Sequence, residues 1–201
     1  MLSVLVTAPA TPSGYVISLA EAKTQCRVDL DEHAEDSLLL RYIAAAQAEV
    51  ENVLGRALTS QVWRLPLDTF PSGSNPIMVP RPPLVSLDSI TYYDSNNDQQ
   101  NLTGYVLDSL AAPALVYPPE TGWPATYDRA HPAVDLQYTC GHGDSNPVDA
   151  NIVEIVLMLV GRSYAHREAT ITGAIATELQ HVYSYLLGHP YRDHTDYSGQ
   201  V

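Results

Sequence analysis

Ile152-Val-Glu-Ile-Val-Leu-Met-Leu-Val160 is apolar at every position but Glu154. It is far short of the roughly 20 residues a membrane span needs, and it sits inside a helical pattern from about Val148 to Glu168 that opens after the Asn146-Pro147 turn. A helix apolar almost all round is expected to find neighbours on every side. The architectural centre of the chain is therefore read as helical, and the first two helices and the β region must together cover this helix, or a neighbouring subunit must.

Upstream, Ser18 followed three residues later by Glu21 forms a capping box, opening a short helix from Leu19 to about Val28 that stops at an acidic turn. From about Glu32, Leu39, Ile43, Ala46, Val50 and Val53 recur at spacings of four and three, one stripe of a long helix ending at Gly55. Ala44, Ala45 and Ala48 give that helix a small-residue surface that another helix can approach closely. Downstream of the apolar helix come a small-residue linker, Ala169 to Thr177, a last amphipathic helix with Leu179, Val182, Leu186 and Leu187, and a polar tail from Gly188.

Between the two helical regions the pattern changes to period two. Trp63, Leu65 and Leu67 alternate with Arg64, Pro66 and Asp68, as in a strand with one wet face. Pro76 to Pro83 reads as an edge strand and a stiff turn, because its prolines lack N–H donors. Val85 and Leu87 share one phase and Ile90 and Tyr92 the other, which predicts a bulge at Asp88 to Ser89. Asp94 to Asn97 turns the chain, Leu102 to Leu107 is expected as a return strand, Leu115 to Tyr117 as a short one, and Val134, Leu136 and Tyr138 as a strand closed by Gly141-His-Gly143. The expected class is α+β. The segments are 1–58 with the N-terminal helices of a helical bundle, 59–143 as an inserted antiparallel β domain, and 144–201 with the core helix, the C-terminal helix and an extended tail.

Composition narrows the function. The chain has 201 residues, 45% of them hydrophobic, enough for a real core and against disorder throughout. With 23 Asp and Glu against 10 Lys and Arg, the net charge is −13, so counterion release by a basic surface cannot drive tight nucleic-acid binding. The start, Met1-Leu-Ser-Val-Leu-Val6, lacks a basic n-region and a full h-region, so export by a signal peptide is not expected. Cys26 and Cys140 lie far apart and are read as free thiols in a reducing compartment. Tyrosine is abundant, 13 against 1 Phe, which suits half-buried contact surfaces.

Candidate chemistry is sparse. Histidines 131, 142, 166, 181, 189 and 194 show neither H-x-x-x-H spacing nor a closed ligand set, and no metal or cofactor is expected. There is no G-x-S-x-G elbow and no phosphate-binding G-x-x-x-x-G-K loop, so no catalytic residue is assigned and no enzyme is expected. The carboxylates Asp29, Asp31, Glu32, Glu35 and Asp36 cluster around a helix start, where they read as capping charges, as a wall that repels DNA, or as a cation site.

Taken in order, Ile17-Ser-Leu-Ala-Glu-Ala-Lys23, Arg27-Val-Asp29, Ala44-Ala-Ala46, Glu49-Val-Glu51 and Gly55-Arg-Ala-Leu58 resemble the start of the head-tail connector proteins of long-tailed phages. The likeness extends through Trp63, Leu67-Asp68, Phe70-Pro71, Pro80-Arg-Pro-Pro-Leu84, Ser89-Ile-Thr-Tyr92, Tyr138, Gly141, Gly143, Tyr164 and Arg167-Glu168, roughly residues 17 to 192. This family, also called adaptor or head-completion proteins, is similar to connectors of gene transfer agents. The resemblance implies a helical bundle with a β insertion and a ring of about a dozen copies below the portal. That ring extends the DNA channel and offers a platform for the tail, its terminator or a stopper protein. It implies a virion neck protein, present in the host cytoplasm during assembly, which DNA passes without specific binding, with no membrane partner.

Portal docking is implied for Leu186, Leu187, Tyr191 and Arg192, although Glu178-Leu-Gln180 stands where relatives often carry a proline before the last helix. On this reading, loss of residues from about 188 onward leaves a folded subunit that no longer attaches to heads, and the acidic cluster around Asp29 to Asp36 becomes a DNA-repelling lumen wall. A different class of function, a ligand- or carbohydrate-binding β module, would show Trp123 and Tyr127 exposed beside a groove.

Overall fold

The computed structural model describes residues 4–5, 14–128, 132–143, 147–166 and 183–189. They form a mixed structure of helices and antiparallel sheet, α+β, which separates into two compact units. One contains the described residues of 14–59 and 142–189, the other those of 4–5 and 60–141.

In the helical unit, α1 (Leu19–Cys26) starts at the expected capping box, with Glu21 N–H donating to Ser18 Oγ and Ser18 N–H to the Glu21 carboxylate. Those Ser18 bonds hold the Glu21 carboxyl below its usual range. The helix ends two residues before Val28, because Arg27 adopts the left-handed conformation (φ 57°). Residues 29–34 form turns, and α2 (Asp36–Leu54) starts four residues later than its pattern suggested. Its buried stripe runs Leu39, Ile43, Ala46, Val50 and then Leu54 in place of the half-buried Val53, and Gly55 at φ 68° closes it. Ala45 and Ala48 are exposed.

The apolar helix is α3 (Ala150–Ala165), capped by Asp149, whose carboxylate accepts from Asn151 N–H. It buries Ile152, Ile155, Val156, Leu159 and Val160 in one core with Ile43, Val50 and Leu54 of α2 and Ala22 of α1. α1 passes close to Gly161, where a Cβ would stand in ordinary contact, 3.4 Å, with Gln25 Cγ. Met158 remains 47% exposed, so within one chain the helix is covered on one side and not all round. The helix stops at His166, short of Glu168, and Arg167 and Glu168 lie outside the described residues, as do the 169–177 linker, 178–180, Leu179 and Val182. Residues 183–188 are helical, with Leu186 fully buried in the same core.

Buried polar groups bind the helical unit to its own loops. Gln47, 2% exposed, accepts from Val16 N–H at 2.9 Å and donates to Thr59 Oγ1 at 3.0 Å and to Glu51 at 3.2 Å, while Glu51 accepts from Leu58 N–H at 2.8 Å. A Gln47→Leu variant keeps the volume and strips those partners. It is expected to lose about 1–3 kcal/mol, read as a lower urea midpoint with an unchanged m-value.

In the sheet unit, one five-stranded antiparallel sheet runs β1-β2-β8-β4-β5 and a three-stranded one β3-β7-β6. The strands are β1 (Val4–Leu5), β2 (Gln61–Leu67), β3 (Ile77–Val79), β4 (Leu84–Tyr93), β5 (Gln99–Asn101), β6 (Val106–Asp108), β7 (Ala114–Tyr117) and β8 (Val134–Cys140). Trp63, Leu65 and Leu67 lie opposite Tyr138, Leu136 and Val134, all buried, as the alternation requires. β4 carries the expected irregularity at Asp88 and a second at Val85, which is 61% exposed. The two extra residues bring Leu84, Leu87, Ile90 and Tyr92 opposite Cys140, Tyr138, Leu136 and Val134, restoring one phase. Asp88 fastens its bulge by accepting from Ser86 Oγ and Thr139 Oγ1. β3 is an edge strand, as its flanking prolines predict. The return strand expected over Leu102 to Leu107 is replaced by β5, which ends at Asn101, and β6, which starts at Val106. The reason is the turn: Asp94 accepts from Asn96 and Asp98 N–H, Asn97 sits at φ 65°, and the chain is already paired at Gln99.

Candidate functional site

The acidic turn between α1 and α2 is organised by Lys23, the one lysine in the chain. It lies on α1, is 3% exposed, and its ammonium donates to the carbonyls of Leu30 (3.1 Å) and Glu32 (2.6 Å) and pairs with Asp36 at 2.6 Å. The lysine and His33, whose Nδ1 is 2.9 Å from the same carboxylate, hold the Asp36 carboxyl below the usual range. Glu35 accepts from Tyr164 Oη near the end of α3. Asp29 and Glu32 each take a backbone N–H of the turn, from Asp31 and Ala34.

The five acids predicted as one cluster therefore divide. Asp36 and Glu35 are half-buried and turned to partners inside the helical unit, while Asp29, Asp31 and Glu32 are exposed. A lone buried lysine with a backbone-bonded cage is a positional device, and the sequence pattern of acids could not show which of them it would recruit. Cys26 is half-buried beside this turn; burial, and then the charge of Glu35, push its thiol up, leaving it protonated and poorly nucleophilic.

Of the C-terminal residues, Leu186 is a core residue and Leu187 is 45% exposed, while Tyr191 and Arg192 lie outside the described residues. His189 is 7% exposed, with its ring 5.2 Å from that of Tyr185 and Nε2 4.0 Å from the Asp149 cap of α3. The helical unit thus incorporates the chain as far as His189.

In the sheet unit Trp123 is half-buried and Tyr127 is 42% exposed. Trp123 stacks on Phe70 (centroids 4.8 Å apart, planes 7° apart), and Phe70 meets Tyr92 edge-on at 5.5 Å. Arg81 lies over the Trp63 ring at 5.0 Å, and Arg64 pairs with Asp135 across β2 and β8, which pushes the guanidinium pKa up. Among the described residues no group of three His, Cys, Asp or Glu could hold a metal ion, and no helix is long and apolar enough to cross a membrane. His131, His181 and His194 lie outside the described residues.

Three comparisons with known proteins bear on this arrangement. Residues 16–109 match the family model described as "Phage gp6-like head-tail connector protein". No curated protein matches the chain. Among solved structures, the neck of an empty GTA particle computed with C6 symmetry is similar at TM-score 0.75, and the virion of a native gene transfer agent (GTA) particle at 0.74. The neck of a native GTA particle computed with C12 symmetry is similar at 0.70; all three are 20% identical and cover the whole of both chains. At that identity the likeness is one of fold. Through residues 16–109, a little under half of its length, the chain is similar to the phage gp6-like head-tail connector family.

Proposed function

We propose that this chain is a head-tail connector of a virion neck. Copies assemble into a ring below the portal, extend the DNA channel and present a platform for the tail, its terminator or a stopper protein. The observation that carries the reading is the end-to-end match of fold with neck chains of particles computed with C6 and C12 symmetry, beside the family match over 16–109. On this reading the sheet segment of 59–143 is an insertion in a helical bundle made by 1–58 and 144–201.

The electrostatics agree with such a role. A twelve-membered ring would carry a formal charge on the order of −150, and acids on the channel side repel DNA, which then slides without sticking. The lumen assignment is kept for Asp29, Asp31 and Glu32, which are exposed; Glu35 and Asp36 serve the helical unit itself. Portal docking is assigned to Leu187 and the segment with Tyr191 and Arg192, with Leu186 as the core anchor from which it departs. Tyr and Arg are frequent interface anchors.

The test is the mass of the purified protein by light scattering across concentration, with electron microscopy of the protein alone and mixed with portal. Rings of about twelve subunits, formed alone or on the portal, are expected from the symmetry of the similar necks. A stable monomer or dimer indifferent to portal would leave only a shared fold.

A further inference from the structure

The sheet unit contains a groove of about 390 Å³ between the end of β4, the residues following β5 and the 119–124 segment. That volume lies within the range of small-molecule sites, about 300–1,000 Å³. Its aromatic walls are Tyr92 and Trp123. Both rest on Phe70, which is 6% exposed, and the Trp123 indole is further fixed by donating its N–H to the Asn75 carbonyl at 3.0 Å. The segment carrying Trp123 is pinned at two points, by Gly122 N–H to the Pro119 carbonyl at 2.8 Å and by Tyr127 N–H to the Tyr93 carbonyl at 3.0 Å. The walls are therefore in place before any ligand arrives, which lowers the ordering cost of binding.

The rest of the lining selects the ligand. Asn101, Thr103 and Thr121 are exposed and bring amide and hydroxyl groups to the groove, and no lining residue is charged. An anion would enter the field of a chain of net charge −13 with no cation to meet it, and a cation would find no carboxylate in the lining. What fits is a neutral molecule with both an apolar face, to lie on an aromatic ring, and several hydroxyls, to bond amide and hydroxyl groups. We propose that this groove is a binding site for a short neutral saccharide. Its lining lies in the sheet unit alone and includes none of the residues assigned above to portal docking or the lumen.

The full chain has two tryptophans, Trp63 and Trp123, hence two indole N–H signals in a nitrogen-proton NMR spectrum, and Trp123→Phe assigns them. Cellohexaose, maltohexaose and N,N′-acetylated chitohexaose are titrated in turn, with decaproline as the competing chemistry, since extended proline segments also dock on aromatic walls. The expected result is a saturable shift of the Trp123 signal with at least one saccharide, the Trp63 signal staying still. A Thr103→Val, Thr121→Val double variant should weaken that binding about tenfold, because each valine keeps the shape and removes the hydroxyl. Ring mass and portal binding of the double variant should equal those of the parent, which separates this test from that of the connector reading. The proposal is overturned if no saccharide moves the Trp123 signal at about 10 mM, where a site with Kd of about 1 mM is nearly filled. It is equally overturned if the double variant binds as the parent does, or if decaproline alone saturates the site.

Discussion

Lys23→Met lowers the stability of the helical unit by about 2–3 kcal/mol, because methionine fills the space and leaves the Leu30 and Glu32 carbonyls without their charged donor. The ammonium is almost wholly buried, yet its carboxylate partner Asp36 is reached by solvent, so the ion pair itself adds little to that figure. The loss is measured by urea unfolding of the full chain, followed by helix signal. A midpoint within error of the parent would show that water replaces the lysine at no cost and that the turn is held by other bonds.

The same pair gives the stability a definite pH dependence. Lys23, and then His33, hold the folded Asp36 carboxyl below its unfolded value. A depressed carboxyl contributes stability that is fully present above the unfolded pKa, about 4, and is lost as pH falls through the lower folded value. Between those points the parent should lose stability more steeply than Lys23→Met, whose Asp36 has lost its main stabilising partner. Parallel pH profiles for the two proteins would sink the assignment.

A chain cut after His189 is expected to fold as the full chain does, assemble as it does in the absence of portal, and fail to attach to DNA-filled heads. The cut falls after His189 and not at 188, because His189 is 7% exposed and packs beside Tyr185 and the Asp149 cap of α3. Removing it as well would take a buried ring away from the α3 cap and confuse loss of docking with loss of fold. The measurement pairs thermal unfolding with head completion assayed by electron microscopy. Completed heads with the truncated chain would move portal docking away from Tyr191 and Arg192. Loss of the cooperative transition would show instead that the segment is part of the fold.

Much of the fold was legible because its signals are local. The Ser18 box, Gly55 at the end of α2, the proline-flanked edge strand β3 and the clean alternation of β8 each depend on residues within one turn or one strand. Where local signals were weak, the reading slipped. Gln99-Gln-Asn101 is polar and fully exposed at a sheet edge, so no apolar alternation marks it as a strand, and the apolar Leu102 beside it drew the expectation forward. Val85 looked like an inward residue because the first of two bulges in β4 leaves no trace except the pairing it alters. The apolar run of α3 suggested cover on all sides, from the chain itself or from a neighbouring subunit; within the chain its Met158 side is open.

The amino-acid sequence by itself determined the class, the order of the helices and of most strands, the acidic net charge and the likeness to connectors. Each of these is written in periodicity, caps, net charge or a long ordered set of landmarks. Only the tertiary structure decided which acids are spent on Lys23 and Tyr164, which stay exposed, and that Tyr92, Asn101 and Trp123 meet around one groove, with Phe70 behind Tyr92 and Trp123. Those residues come from separate elements and loops of the chain. Their meeting depends on the register and bulges of paired strands and on the packing of helices, and no short-range pattern encodes it.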